Sequence, residues 1–188
     1  MEAEDYKKRK EDYLAEVKNQ LLELGDLHPQ VTLFVDKTLD TTEVVPGSVL
    51  IPIPQEIMDS EEGKDYFLEV LIPEITKNLN ESGMVIKGVC WAAEAYMRKA
   101  EKNSEAMRMV EDGTWKELPI QKEVLIITLQ TDEQNEAVVF EIKRDGSLIN
   151  SSGDMIDNIE LLPEPELSEG ARLAGGIFSN LYPLFKPS

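Results

Sequence analysis

Between Glu2 and Leu24, the apolar residues Leu14, Val17, Leu21 and Leu24 recur at three- and four-residue spacing, and Gly25 stands where a helix end favours a left-handed residue. The pattern predicts an N-terminal helix within residues 1–26. Its first two turns carry almost only charge, with Tyr6 and Tyr13 as exceptions, so that end is expected to project into solvent or towards a partner.

The pattern then changes period. Val31 to Asp36 is β-branched and aromatic, as a strand requires, and the apolar run Val44 to Ile53 is punctuated by Pro46-Gly47 and Pro52. Proline donates nothing to a ladder, so this run is expected at a sheet edge or as a short piece around Ser48 to Ile51. Ser60-Glu61-Glu62 reads as a helix start, followed by Phe67, Val70, Leu71, Ile75 and Leu79 on one face up to Gly83. Pro73 lacks the N–H that would bond Glu69 and predicts a kink or restart.

From Met84 the chain alternates through Val85, Lys87, Val89, Trp91 and Ala93, with Ile86, Cys90 and Ala92 between, which predicts a long strand with both faces partly covered. Ala92 to Lys102 also has helical propensity. Glu123 to Thr131 and Glu136 to Arg144, joined by Asp132-Glu133-Gln134-Asn135, predict a hairpin, and Asp145-Gly146 predicts a tight turn that makes a three-stranded meander. A short apolar piece, Met155 to Leu162, leads to a Pro/Glu spacer beginning at Pro163. A C-terminal helical tail follows, with Leu173, Ile177, Leu181 and Leu184 on one face.

Consecutive strands favour an α+β fold: an antiparallel sheet of about four to five strands with a core helix packed on one face and helical termini. The length of 188 residues suits one domain over 1–188, with 163–188 as its tail.

Composition narrows the function. Nineteen basic against 37 acidic residues give a net charge of -18, a field that repels phosphate backbones and anionic lipid, so neither direct nucleic-acid nor membrane binding is expected. One cysteine, Cys90, and one histidine, His28, exclude a disulfide scaffold and a Cys/His zinc quartet. Nucleotide-loop, dinucleotide and nucleophile-elbow motifs are missing, so no cofactor is expected. A charged opening without an apolar leader core leads us to expect the cytoplasm, or a host's cytoplasm if the chain is viral.

The candidate residues each have two readings. Glu94, in an apolar strand, is either an acid or base whose pKa burial raises, or an ion-pair partner of Arg98 or Lys87. An enzymatic site would need a second carboxylate beside it, Asp36 or Asp157. Cys90 lies mid-strand and reads as a small packing residue rather than a nucleophile, and His28 as a loop residue. Asp154, Asp157, Asn158 and Glu160 offer oxygen ligands but lack calcium-loop spacing, so no metal site is assigned.

The text Trp91-Ala92-Ala93-Glu94-Ala95-Tyr96-Met97, followed by the run Glu123 to Thr131, resembles small uncharacterised bacterial and phage proteins. In these a Trp-x-x-Glu-Ala-aromatic-Met strand precedes a hydrophobic hairpin strand. The likeness spans about residues 84–145; it implies a shared fold and carries no activity or catalytic residue.

These readings favour a non-enzymatic protein that binds another protein or itself, as a subunit or adaptor, with Leu173, Ile177, Leu181 and Leu184 as the docking stripe. Two alternatives stand beside it: an acidic inhibitor that imitates nucleic acid, of the phage type, and a carboxylate-dependent enzyme around Glu94.

Overall fold

Val89, Cys90, Trp91, Ala92 and Ala93 leave neither side of a strand polar, and the chain covers both. In the computed structural model, which describes residues 3–39, 43–98, 104–112, 114, 117–163 and 181–185, these residues lie in the third strand of one sheet. The strands are β1 (Gln30–Leu39), β2 (Glu43–Pro52), β3 (Met84–Met97), β4 (Lys122–Gln130), β5 (Asn135–Ile149) and β6 (Met155–Pro163). They run in the order β2-β1-β3-β4-β5-β6, and every neighbouring pair is antiparallel. The α+β class follows as expected, with six strands rather than four or five.

Two helical layers sandwich the sheet. Helix α1 (Ala3–Leu24) ends at Gly25, with φ of +83°, and buries Tyr13, Val17 and Leu21 on one sheet face with Phe34, Cys90, Ala92, Leu125, Ile127, Phe140 and Ile142. The opposite face, with Val31, Leu33, Val89, Trp91 and Ala93, receives the short helices α2 (Gln55–Asp59) and α3 (Glu61–Tyr66), a π-helical turn (Phe67–Leu71) and α4 (Ile72–Glu81). A further helix, α5 (Glu105–Glu111), lies between β3 and β4 in the chain. Ser60 caps α3 by accepting from the Gly63 N–H at 2.9 Å. Pro73 falls in the first turn of α4, the expected restart, and the π turn absorbs the break.

Several local expectations change. The charged start of α1 does not project freely: Arg9 bonds Asp36 at 2.8 Å, Lys10 bonds Glu136, and Tyr6 is buried. The second strand, β2, is an edge strand as its prolines require, yet it pairs over its full ten residues with β1. Residues from Ala92 onward stay in β3 as far as Met97 rather than turning helical. The pair Asp145-Gly146 does not close a hairpin. Gly146, at φ of +74°, sits where the β5–β6 register slips between Arg144 and Ser147, and the turn comes later, at Asn150 to Asp154. A bulge glycine and a tight-turn glycine share the same backbone requirement, and β6 captures the continuing strand.

Tyr182–Phe185, among the last described residues, forms a 3-10 turn in which Tyr182 and Phe185, with the preceding Leu181, are buried on the face covered by α4, while Leu184 stays exposed. Leu173 and Ile177 lie outside the described residues, as does the spacer after Pro163. No helix among the described residues is long and apolar enough to cross a membrane.

Candidate functional site

Strand alternation puts Glu94 on the α1 face, two residues beyond Ala92, and the same parity puts Glu123 beside Leu125 and Arg144 beside Ile142. The register aligns these three residues diagonally across β3, β4 and β5, at the edge of the apolar core where α1 ends. The guanidinium of Arg144 is the hub. Its Nε donates to both Glu123 carboxylate oxygens at 3.3 and 3.1 Å, its Nη2 to Glu123 at 3.0 Å and Glu94 at 2.5 Å, and its Nη1 to the Gly25 carbonyl at 2.5 Å. Nη1 also lies 3.4 Å from Asp157. The other Glu94 oxygen accepts the Leu27 N–H.

The two glutamates titrate against each other. Burial lifts Glu94 above the usual carboxylate range; the Leu27 N–H and Arg144 pull it back, while a shared hydrogen bond with Glu123 pushes it up, and the net direction is up. Burial also works to raise Glu123, but the bonds from Arg144 and Glu94, with the Arg144 charge, outweigh it and hold Glu123 low. Glu94 is therefore the first of the pair to take up a proton. Arg144 is held more firmly protonated, chiefly by its bond to Glu123.

Such a cluster holds the chain at the turn after α1. Gly25 to Leu27 carries a carbonyl and an N–H that the helix leaves unpaired, and Arg144 and Glu94 supply one partner to each. A third tie runs from the Asn150 side chain to the Glu23 carbonyl at 3.0 Å. The far end of α1 is fixed by Arg9 and Asp36. The sheet thus grips both ends of the helix through polar groups that side-chain parity directs out of the core.

The expected site residues fall into separate places. Glu94 and Asp157 share Arg144, whereas Asp36 faces Val85 across β1 and β3, nine residues along β3 from Glu94 and so about 30 Å away. Glu94 pairs with neither Arg98 nor Lys87 as its main partner. Arg98 donates to the Leu118 carbonyl, and Lys87 is the extra residue where the β1–β3 register shifts. Cys90 is buried and its thiol pKa is driven up by that burial, as suits a packing residue. His28 is exposed. Among the described residues no three Asp, Glu, His or Cys side chains gather to hold a metal ion. A surface depression lined by Glu4, Asp5, Lys7, Lys8 and Glu11 lies at the other end of α1 and contains neither Glu94 nor Asp157.

Glu123 and Arg144 carry no signal of their own in the sequence, because each looks like an ordinary charge bounding an apolar run, Glu123 at its start and Arg144 at its end. Only the three-strand register reveals that they meet. Comparison of the chain with protein-family models, with curated proteins and with solved structures finds no match.

Proposed function

We propose that this chain is a non-enzymatic protein-interaction protein, a subunit or adaptor whose partner presents a basic surface. The observation that supports it is an uneven distribution of charge between the two helical layers. Seven exposed carboxylates, Glu56, Glu61, Glu62, Asp65, Glu69, Glu74 and Glu81, line the α2–α4 layer against only Lys64 and Lys77. Both lysines are engaged within the layer, by Glu61 at 2.5 Å and Glu81 at 3.8 Å. On α1, by contrast, Lys7, Lys8, Arg9, Lys10 and Lys18 nearly balance six carboxylates. A field of one sign over one face steers a complementary partner and orients it on arrival.

Nucleic-acid mimicry is the special case in which the partner's basic surface is its own phosphate-binding surface, and the same acid-rich layer supports it. The experiment is capture of partners from the native host by the full-length chain, compared with a triple variant Glu62→Lys, Asp65→Lys and Glu69→Lys. Capture is expected to fall with the variant and with added salt. Equal capture by both proteins would refute the reading. Displacement of the captured partner by duplex DNA would identify the mimic.

A further inference from the structure

The segment Leu181 to Phe185 is held as a ligand is held. Leu181 and Phe185, four residues apart, are fully buried against β3 and α4 among Val89, Trp91, Ala93 and Ile72. Between these anchors the Tyr182 N–H donates to the buried Gln130 side chain at 2.9 Å, and the Tyr182 hydroxyl donates to Asp132 at 3.0 Å. Burial, followed by the bond to Asp132, pushes that hydroxyl pKa up to about 12, so it stays a donor. Pro183 and Leu184 face outward. The seat therefore reads two apolar anchors, one main-chain N–H and one aromatic hydroxyl.

Connectivity makes this segment separable. No strand ladder includes it, and its own backbone bond runs within the turn, from Leu184 N–H to Leu181 carbonyl. Seventeen residues of sequence, 164–180, separate it from the end of β6 at the far edge of the sheet. A chain of that many residues spans at most about 60 Å, enough to bridge from that edge to the seat.

We propose that this seat is a docking site for a Leu-Tyr-x-x-Phe segment of a partner protein, and that Leu181–Phe185 occupies it as an intramolecular competitor. The proposal rests on the reading of the chain as an interaction protein. A different protein is favoured over a second copy because two chains of charge -18 repel each other. Since α4 belongs to both the seat and the acidic layer, the partner segment carries basic flanking residues, as Lys186 follows Phe185 here.

The test uses the full-length chain with Leu181→Ala and Phe185→Ala, which removes both apolar anchors of the resident segment without altering the lining of the seat. The probe is a fluorescein-labelled synthetic peptide of residues 179–188, read by anisotropy. Saturable binding is expected, about tenfold or more tighter than to the wild-type chain, whose tail fills the seat at least about nine-tenths of the time. A peptide with the same two alanines should not bind, and Asp132→Ala should weaken the wild-type peptide several-fold. Failure of a folded double variant to bind the peptide overturns the proposal while leaving the capture experiment above untouched.

If the double variant does not fold, hydrogen exchange on the wild-type chain decides the matter. Exchange of the Tyr182 amide through a local opening, well ahead of the β4 amides of Leu125 and Ile127, supports a detachable ligand; exchange only together with them overturns it. A wild-type mass that doubles with concentration, and reverts in the double variant, would assign the seat to a second copy and overturn the partner.

Discussion

Replacing Arg144 with Met keeps the apolar stem and removes the hub that ties Glu94, Glu123, Gly25 and Asp157 together. A hydrogen bond to a charged group contributes about 1.5–3 kcal/mol, and removing one partner of a fully buried pair costs about 3–5 kcal/mol. The side chains here are not fully buried: Arg144 and Glu123 are 25% exposed and Glu94 18%, so solvent screens part of the loss. Asp157, 52% exposed, adds about 0–1 kcal/mol at most. The expected loss is about 2–4 kcal/mol, which at a urea slope of about 2 kcal/mol per molar lowers the midpoint by about 1–2 M. Acidity supplies the internal control. Glu123 titrates below its ordinary value in the fold, so its contribution is present above pH 4.5 and fades as pH falls through its folded pKa. Glu94 titrates above it, so its contribution is full below pH 4.5 and is lost as pH rises through its folded pKa. Both shifts make the cluster depend most on Arg144 when both carboxyls are ionised, so the penalty should be larger at pH 7 than at about pH 3. A double-mutant cycle with Glu94→Gln should show the two sites coupled by more than about 0.5 kcal/mol. A midpoint shift under about 0.3 M at pH 7, or an equal shift at both pH values, would refute the account of the cluster as the clamp on α1.

Trp91→Ala removes a buried indole from the face that α4 covers and should cost about 3–5 kcal/mol in chemical denaturation. Gly25→Ala forces a side chain into φ of +83° with its Cβ 3.1 Å from that of Ile156, and should lower stability by about 1–2 kcal/mol in the same assay. Sodium chloride should raise the melting temperature by screening the excess carboxylates, and magnesium at matched ionic strength should do no more, as read by calorimetry.

The features legible in sequence were those with a local signal. The stripe of Val17 and Leu21 located α1, and the alternation around Trp91 located a strand covered on both sides, because period alone encodes a buried face. Asp145-Gly146 was misread because a left-handed glycine serves a bulge as well as a turn, and only the pairing with β6, further along the chain, selects between them. The partner of Glu94 was out of reach for a similar reason. Arg144 lies fifty residues away and meets it only after two strand registers are fixed. Leu181 belonged to an expected helical stripe, yet its burial belongs to a 3-10 turn whose anchors are Leu181 and Phe185, a spacing that a helix shares.

The π turn ahead of Pro73 bears on how the length of this chain can vary. Its Ile72 N–H reaches back five residues to the Phe67 carbonyl, and both of those residues are buried against the sheet. In a regular α-helix, residues five apart point about 140° away from each other, so the wide turn is what lets both face inward. The helix therefore stores one surplus residue. Loss of one position from Leu68 to Leu71 would leave the two anchors four apart, the spacing at which an ordinary helix keeps them on the same side. Here a deletion regularises the backbone, whereas within β3 it would swap its two buried faces. Variation in length among descendants of this sequence should therefore collect at this turn, away from the strands that carry the sheet.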